Sequence, residues 1–185
     1  HGTLWMSYTQ ARGFNDGRSG VWVVTCKDAD ADPLVWSAPR RIANGIMMNK
    51  PIVTQDNTWL FPCAIWRDES CSVPAERHGL ENEQFSNVYA STDEGKTIVL
   101  RGHADVPMRS FDEHMIVQKK DGTLWMLVRT FDGLGESFSS DDGFTWTPGH
   151  KSHIDNPCSR FFIRRLKSGR LLMINHYNFD QRIDL

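Results

Sequence analysis

The chain has 185 residues, with 21 Lys and Arg against 23 Asp and Glu, for a net charge of −2. That balance argues against a nucleic-acid binder working by bulk charge and against a polybasic membrane anchor, and no apolar run approaches the ~20 residues of a membrane span. An apolar share of 39% with 7 Trp and 10 Phe fits a folded domain of packed sheets with aromatic faces and excludes a disordered chain.

In chain order, Gly2-Thr3-Leu4-Trp5-Met6 reads as a tight turn leading into a strand. Residues 25–36 read as a turn lengthened by Asp28, Asp30 and Asp32. Asn49-Lys50-Pro51-Ile52-Val53 is a polar start followed by a strand, and Asp56-Asn57-Thr58-Trp59-Leu60 repeats the turn-plus-strand pattern. Residues 73–84 are polar and contain Pro74 and Gly79, so they read as an inserted loop with at most one helical turn. Ser91-Thr92-Asp93-Glu94-Gly95-Lys96-Thr97-Ile98 is an acidic turn of the form S-x-D-x-G-x-T. The same order then recurs: Glu113-His114-Met115-Ile116-Val117, the turn and strand Gly122-Thr123-Leu124-Trp125-Met126, and a second acidic turn from Ser139 to Trp146. Ser159-Arg160-Phe161-Phe162-Ile163 and Ser168-Gly169-Arg170-Leu171-Leu172-Met173 begin it once more.

The hairpin turns at Gly2, Asn57, Gly122 and Gly169 are 55, 65 and 47 residues apart, and Asp93 and Asp142 in the acidic turns are 49 apart. Periods of this size mark a supersecondary unit stacked on copies of itself. Each unit is a β-hairpin followed by an acidic turn, in which Asp bonds backbone N–H groups and Gly takes a positive φ. No stretch has the apolar spacing of a helix of 10–12 residues.

Aligning the hairpins puts Lys50, His114 and Arg160 at one position and their predecessors Asn49, Glu113 and Ser159 at another. In stacked blades the residue just before each innermost strand faces one mouth of a central channel. Two permanent cations and one titratable group converging there suit an anionic ligand. Counting from the turns aligns Arg129 with His176 and Thr9. Arg129 ends an apolar run, where a charge is costly unless paired; a ligand carboxylate, Glu113 or Glu136 would each pair it. Asp112 beside Glu113 forms a carboxylate pair that can divide acid and base roles, and His114 and His176 have the side chain best suited to proton transfer near neutral pH. Cys26, Cys63, Cys71 and Cys158 lack the close spacing of a zinc site and read as buried thiols, with a Cys63–Cys71 bridge as the alternative.

The acidic turns, together with Asp121-Gly122-Thr123-Leu124-Trp125-Met126-Leu127-Val128-Arg129-Thr130, resemble the sialidase (neuraminidase) superfamily of Asp-box, or BNR-repeat, six-bladed β-propellers. The likeness is best over 111–178 and extends more weakly over nearly the whole chain. It implies an all-β fold of four-stranded antiparallel blades. At roughly 50 residues per blade, 185 residues make about 3.5 blades. The expectation is one partial propeller domain over 1–185, an incomplete ring whose other blades belong to the same protein.

The resemblance also implies roles. Glu113 takes the place of the Glu that polarises a tyrosine nucleophile, and Arg129 that of an Arg clamping the substrate carboxylate. The tyrosine belongs to a late blade; Tyr8, Tyr89 and Tyr177 do not fit its position. The general acid is an Asp on an early loop, where Asp16 is a carboxylate of that kind. The catalytic candidates are thus Glu113, Asp112, His114 and His176, and the substrate-binding candidates Arg129, Lys50, Arg160, Asn49 and Glu136. A glycan is the implied partner, with no metal or cofactor and a secreted or periplasmic location. Two departures stand out: the family's F/Y-R-I-P motif is not present, and His114 and His176 have no counterpart in the sialidase mechanism. Three classes therefore remain: an exo-acting sialidase-like hydrolase of a carboxylate-bearing terminal sugar such as sialic acid, a same-fold glycosidase or lyase acting on another sugar, and a non-catalytic glycan-binding propeller.

Overall fold

A computed structural model describes residues 2–12, 18–66, 79–176 and 180–183. Its described residues form thirteen strands in four antiparallel sheets. The first sheet holds β1 (Leu4–Gln10), β2 (Gly20–Cys26) and β3 (Arg40–Asn44). The second holds β4 (Ile52–Val53), β5 (Trp59–Ala64), β6 (Ser86–Ser91) and β7 (Val99–Ala104). The third holds β8 (Arg109–Gln118), β9 (Leu124–Thr130), β10 (Leu134–Ser139) and β11 (His150–Lys151), and the fourth β12 (Phe162–Arg165) and β13 (Leu171–Ile174). Within every sheet each strand pairs with its neighbour in sequence, the meander of a propeller blade. Among the described residues the only helical element is one 3₁₀ turn, Glu81–Glu83, inside the segment read as a loop.

Local chemistry accounts for the repetition. The hairpin turns at Asn57, Gly122 and Gly169 each place one residue in the left-handed region at the equivalent position, at φ 65°, 90° and 80°, while Gly2 does not. In the first acidic turn Ser91 Oγ donates to Asp93 at 2.8 Å, Gly95 N–H donates to Ser91 Oγ at 2.8 Å, and Thr97 N–H donates to Asp93 Oδ1 at 2.9 Å. In the second, Ser139, Asp141, Gly143 and Thr145 repeat this at 2.8, 2.9 and 2.9 Å. The equivalent of Asp93 is therefore Asp141, one residue earlier than the sequence alignment had it; Asp142, at φ 58°, matches Glu94 at 59°.

The core lies between sheets rather than beneath one of them. Val21, Val23, Ile42 and Ala43 meet Phe61, Cys63 and Tyr89 between the first and second sheets. Leu60, Val88 and Ala90 meet Ile116, Leu124, Met126 and Val128 between the second and third. Met115, Val117, Leu127 and Leu134 meet Phe161 and Ile163 between the third and fourth. The second and third sheets thus have two apolar faces, which is why their strands read as near-continuous apolar runs. Trp125 and Trp146 are half-buried against these layers.

The alignment of hairpins started the third inner strand after His114. The structure starts it at Arg109, and the ladder to β9 slips on both sides of Asp112. Asp112 and Glu113 take left-handed φ of 53° and 41°, so the strand continues through a bulge that turns both carboxylates out of the usual alternation.

Candidate functional site

The bulge and the end of β9 bring Glu113 and Arg129 together. Arg129 Nη1 donates to Glu113 Oε2 at 2.7 Å, with both side chains 7% exposed. The Arg129 guanidinium lies over the ring of Phe111 at 4.6 Å, and Phe111 meets Trp66 edge-on at 5.0 Å between centroids. An aromatic floor and a carboxylate therefore fix the guanidinium plane from two directions. Arg129 Nε has no partner among the described residues. Gly45 makes the approach of the neighbouring blade possible: its φ is 84°, and a Cβ there would lie 2.2 Å from the carbonyl oxygen of Ala64. Ile46 and Ala64 then pair and pack with Trp66 against Phe111.

The other candidates fall in several places. Asp112 is fully buried and its Oδ2 accepts from Arg109 Nη1 at 2.6 Å, an ion pair within the bulge. His114 is also buried, with Nε2 2.8 Å from the carbonyl oxygen of Asn87 on β6. That acceptor requires the proton on Nε2, and burial pushes the imidazole down to about 4, so the ring is neutral at pH 7. His176, after β13, has Nδ1 3.2 Å from the carbonyl of Ile183. Glu136 sits on β10, accepting from Trp125 Nε1 at 2.8 Å and facing His150 Nε2 at 3.3 Å. Arg129 is thus paired with Glu113 and not with Glu136.

Lys50 and Arg160 line one groove of about 690 Å³ where the inner strands β4, β8 and β12 come together. Arg160 Nη2 donates to the carbonyl of Met48 at 2.9 Å. Glu113 and Arg129 are not part of that lining; Asn49, which is, donates from Nδ2 to the carbonyl oxygens of Glu113 at 2.6 Å and His114 at 3.2 Å. Ser159 is buried and bonded otherwise, its N–H donating to Asn156 Oδ1 at 2.7 Å.

Tyr8 lies on β1, and the Tyr89 hydroxyl is occupied, donating to Glu83 Oε2 at 2.7 Å and accepting from Asn44 N–H at 3.2 Å; burial pushes its pKa up. Tyr177, Asp16 and Cys71 lie outside the described residues. Cys63 carries a free thiol in the core of β5, raised in pKa by burial, and Cys26 and Cys158 are free as well. Among the described residues no three His, Cys, Asp or Glu side chains gather as metal ligands, and no helix is long and apolar enough to cross a membrane.

Alignment of repeats did not single out Phe111 or Arg109. Phe111 directly before an acidic pair and Arg109 three residues ahead of it were the only traces they left in the sequence.

A model of the BNR repeat-like domain matches residues 1–185. No curated protein matches the chain. Among solved structures, the Hadza microbial sialidase Hz136 superposes with a TM-score of 0.68 at 16% identity, over 97% of this chain and 39% of that one. A mutant of NanB sialidase from Streptococcus pneumoniae superposes with a TM-score of 0.51 at 16% identity, over 73% of this chain and 19% of that one. The chain thus spans about two fifths of the length of the Hz136 chain. Its hairpin turns, its paired acidic turns and its successive antiparallel blades have one common explanation: the chain belongs to the BNR repeat-like domain family, with the β-propeller fold of sialidases.

Proposed function

We propose that the protein is a sialidase-like glycoside hydrolase, exo-acting on a terminal sugar that bears a carboxylate, with sialic acid as the type substrate. The observation that carries this reading is the buried Glu113–Arg129 pair at 2.7 Å, set on the face of Phe111. A guanidinium held in plane by a carboxylate and an aromatic ring is prearranged for bidentate contact with a second carboxylate. Lys50 and Arg160 add positive charge in the adjoining groove, which favours an anionic substrate. In this reading Glu113 serves as base to a tyrosine hydroxyl outside the described residues. A neutral nucleophile suits an anomeric centre that already carries a carboxylate. Residues 1–185 are proposed as part of a larger ring, supported by sheets of three and two strands beside two of four, and by the 39% share of the Hz136 chain.

The test is sugar release by the whole protein from sialosides, uronide glycosides and neutral aryl glycosides. Arg129→Ala is expected to raise KM steeply, since charge-assisted bonds of about 1.5–3 kcal/mol each are lost, and Glu113→Gln mainly to lower kcat. Turnover of neutral glycosides alone, unchanged by Arg129→Ala, overturns the anionic-substrate reading. Glycan binding without any turnover makes the protein a lectin.

A further inference from the structure

The Glu113 bulge is an improbable piece of backbone. Two consecutive non-glycine residues, Asp112 at φ 53° and Glu113 at φ 41°, sit in the left-handed region inside a strand. Such residues are strained and persist only where the surroundings hold them. Three contacts hold this one. The Arg109–Asp112 ion pair fastens its first residue at 2.6 Å. The Glu113–Arg129 pair fastens the second at 2.7 Å. The third contact comes from another blade: Asn49 Nδ2 donates to the carbonyls of Glu113 at 2.6 Å and His114 at 3.2 Å, across 64 and 65 residues of sequence. On its other side Asn49 Oδ1 accepts from Arg160 Nη2 at 3.4 Å, while Arg160 also holds the carbonyl of Met48 at 2.9 Å. Asn49 precedes β4, the bulge is in β8, and Arg160 precedes β12. One carboxamide therefore joins three successive blades where their inner strands meet.

We infer that Asn49 is a positioning residue and not a substrate ligand: its carboxamide holds the bulge that aims Glu113 at Arg129, and it links Arg160 to that bulge. This deepens the proposed function and rests on it for the catalytic consequence, but not for the structural one. Both ends of the amide are in use. Its donor goes to two backbone carbonyls of the bulge, and its acceptor goes to a cation of the groove. A carboxylate at the same position keeps the acceptor and loses the donor, and its protonated form restores a donor. The tie is therefore open to a chemical test that a merely space-filling role would not answer.

The experiment compares Asn49→Ala and the isosteric Asn49→Asp with the parent in the whole protein, by amide hydrogen exchange and by kinetics. At pH 7 both variants are expected to exchange about 10-fold faster over residues 110–116, with β6 and β10 unchanged. On lowering the pH to about 4, where an aspartate regains its proton, Asn49→Asp is expected to return toward the parent rate while Asn49→Ala does not. In sugar release, kcat is expected to fall about 10- to 100-fold with KM within about 3-fold. Unchanged exchange over 110–116, equal acceleration in all blades, or no difference between Asn49→Asp and Asn49→Ala at low pH overturns the inference. So does a loss confined to KM. A parent protein that turns over no sugar refutes the proposed function, and the exchange result then stands by itself for or against the tie.

Discussion

At the scale of single residues, the chemistry of this chain depends on what each buried polar group is bonded to. His114 illustrates it. Its position in the repeat made it a candidate for proton transfer, yet its Nε2 proton is given to the Asn87 carbonyl and burial lowers its pKa to about 4. The sign of the consequence follows from linkage. The unfolded chain takes up a proton on this side chain near pH 6.5, and the folded chain resists until about pH 4, so the contribution to stability is full above pH 6.5 and is lost as the pH falls through that window. The difference amounts to about 3 kcal/mol between the two limits. His114→Gln keeps a donor for the carbonyl and cannot be charged, so its stability is expected to decline less between pH 6.5 and pH 4 than that of the parent. Urea melts at the two pH values check it; parallel decline in both proteins would show that His114 does not titrate as described. Asp112 and Glu136 teach the same lesson, each already bonded within its own blade to Arg109 and to Trp125.

At the scale of elements, the acidic turns show how a short sequence specifies a shape. Ser139 is 2% exposed and links its turn twice, donating to Asp141 and accepting from the Gly143 N–H at 2.9 Å. Ser139→Ala leaves that N–H buried without a partner, and a loss of about 1–3 kcal/mol is expected from denaturant unfolding. Asp93 and Asp141 are held down to about 2, Asp93 first by the Thr97 N–H and Asp141 first by the Thr145 hydroxyl. A depressed carboxylate stabilises above its ordinary pKa of 3.8 and ceases to do so as pH falls through its folded value, so these turns weaken only in strong acid. The form of these turns, with Asp on backbone N–H groups and Gly at positive φ, was legible in the sequence, apart from a one-residue choice between Asp141 and Asp142. The inner strand of the third blade was not. Its true start at Arg109 depends on a bulge, and a bulge breaks the alternation from which strands are read.

At the scale of the whole molecule, blades are joined edge to turn. Arg40 at the start of β3 donates to the carbonyls of Gly95 at 2.6 Å and Lys96 at 3.0 Å in the acidic turn of the second blade. Arg101 on β7 donates to the carbonyl of Asp142 at 3.1 Å and lies over Phe144 at 4.6 Å in the turn of the third. The outer strands of the first two sheets thus grip the turn of the next blade, and the repeated turn acts as a joint as well as a bend. Gly102 lets the second joint close: a Cβ there would stand 2.3 Å from the Gly143 carbonyl oxygen and 2.6 Å from that of Phe144. Those obstacles are backbone and cannot swing aside. Gly102→Ala is expected to cost about 1–3 kcal/mol by forcing the two blades apart. A thermal melt checks it, and an unchanged midpoint would mean that the blades slide without loss.

The amino-acid sequence by itself determined the repeat, the hairpins, the acidic turns and the blade order, because each is encoded within about ten adjacent residues by a turn former, a left-handed position and an apolar run. It also brought Glu113 and Arg129 into one frame, since they lie on adjacent strands of a single hairpin. Only the tertiary structure decided that Asn49 reaches the bulge, that Phe111 lies under Arg129, that His114 bonds to β6 and that Lys50 and Arg160 share a groove. Three of these four contacts cross between blades, and no local period carries information about which side chain of one blade meets which backbone of the next. The Phe111 contact lies within one hairpin, yet it depends on a bulge that the strand pattern does not announce.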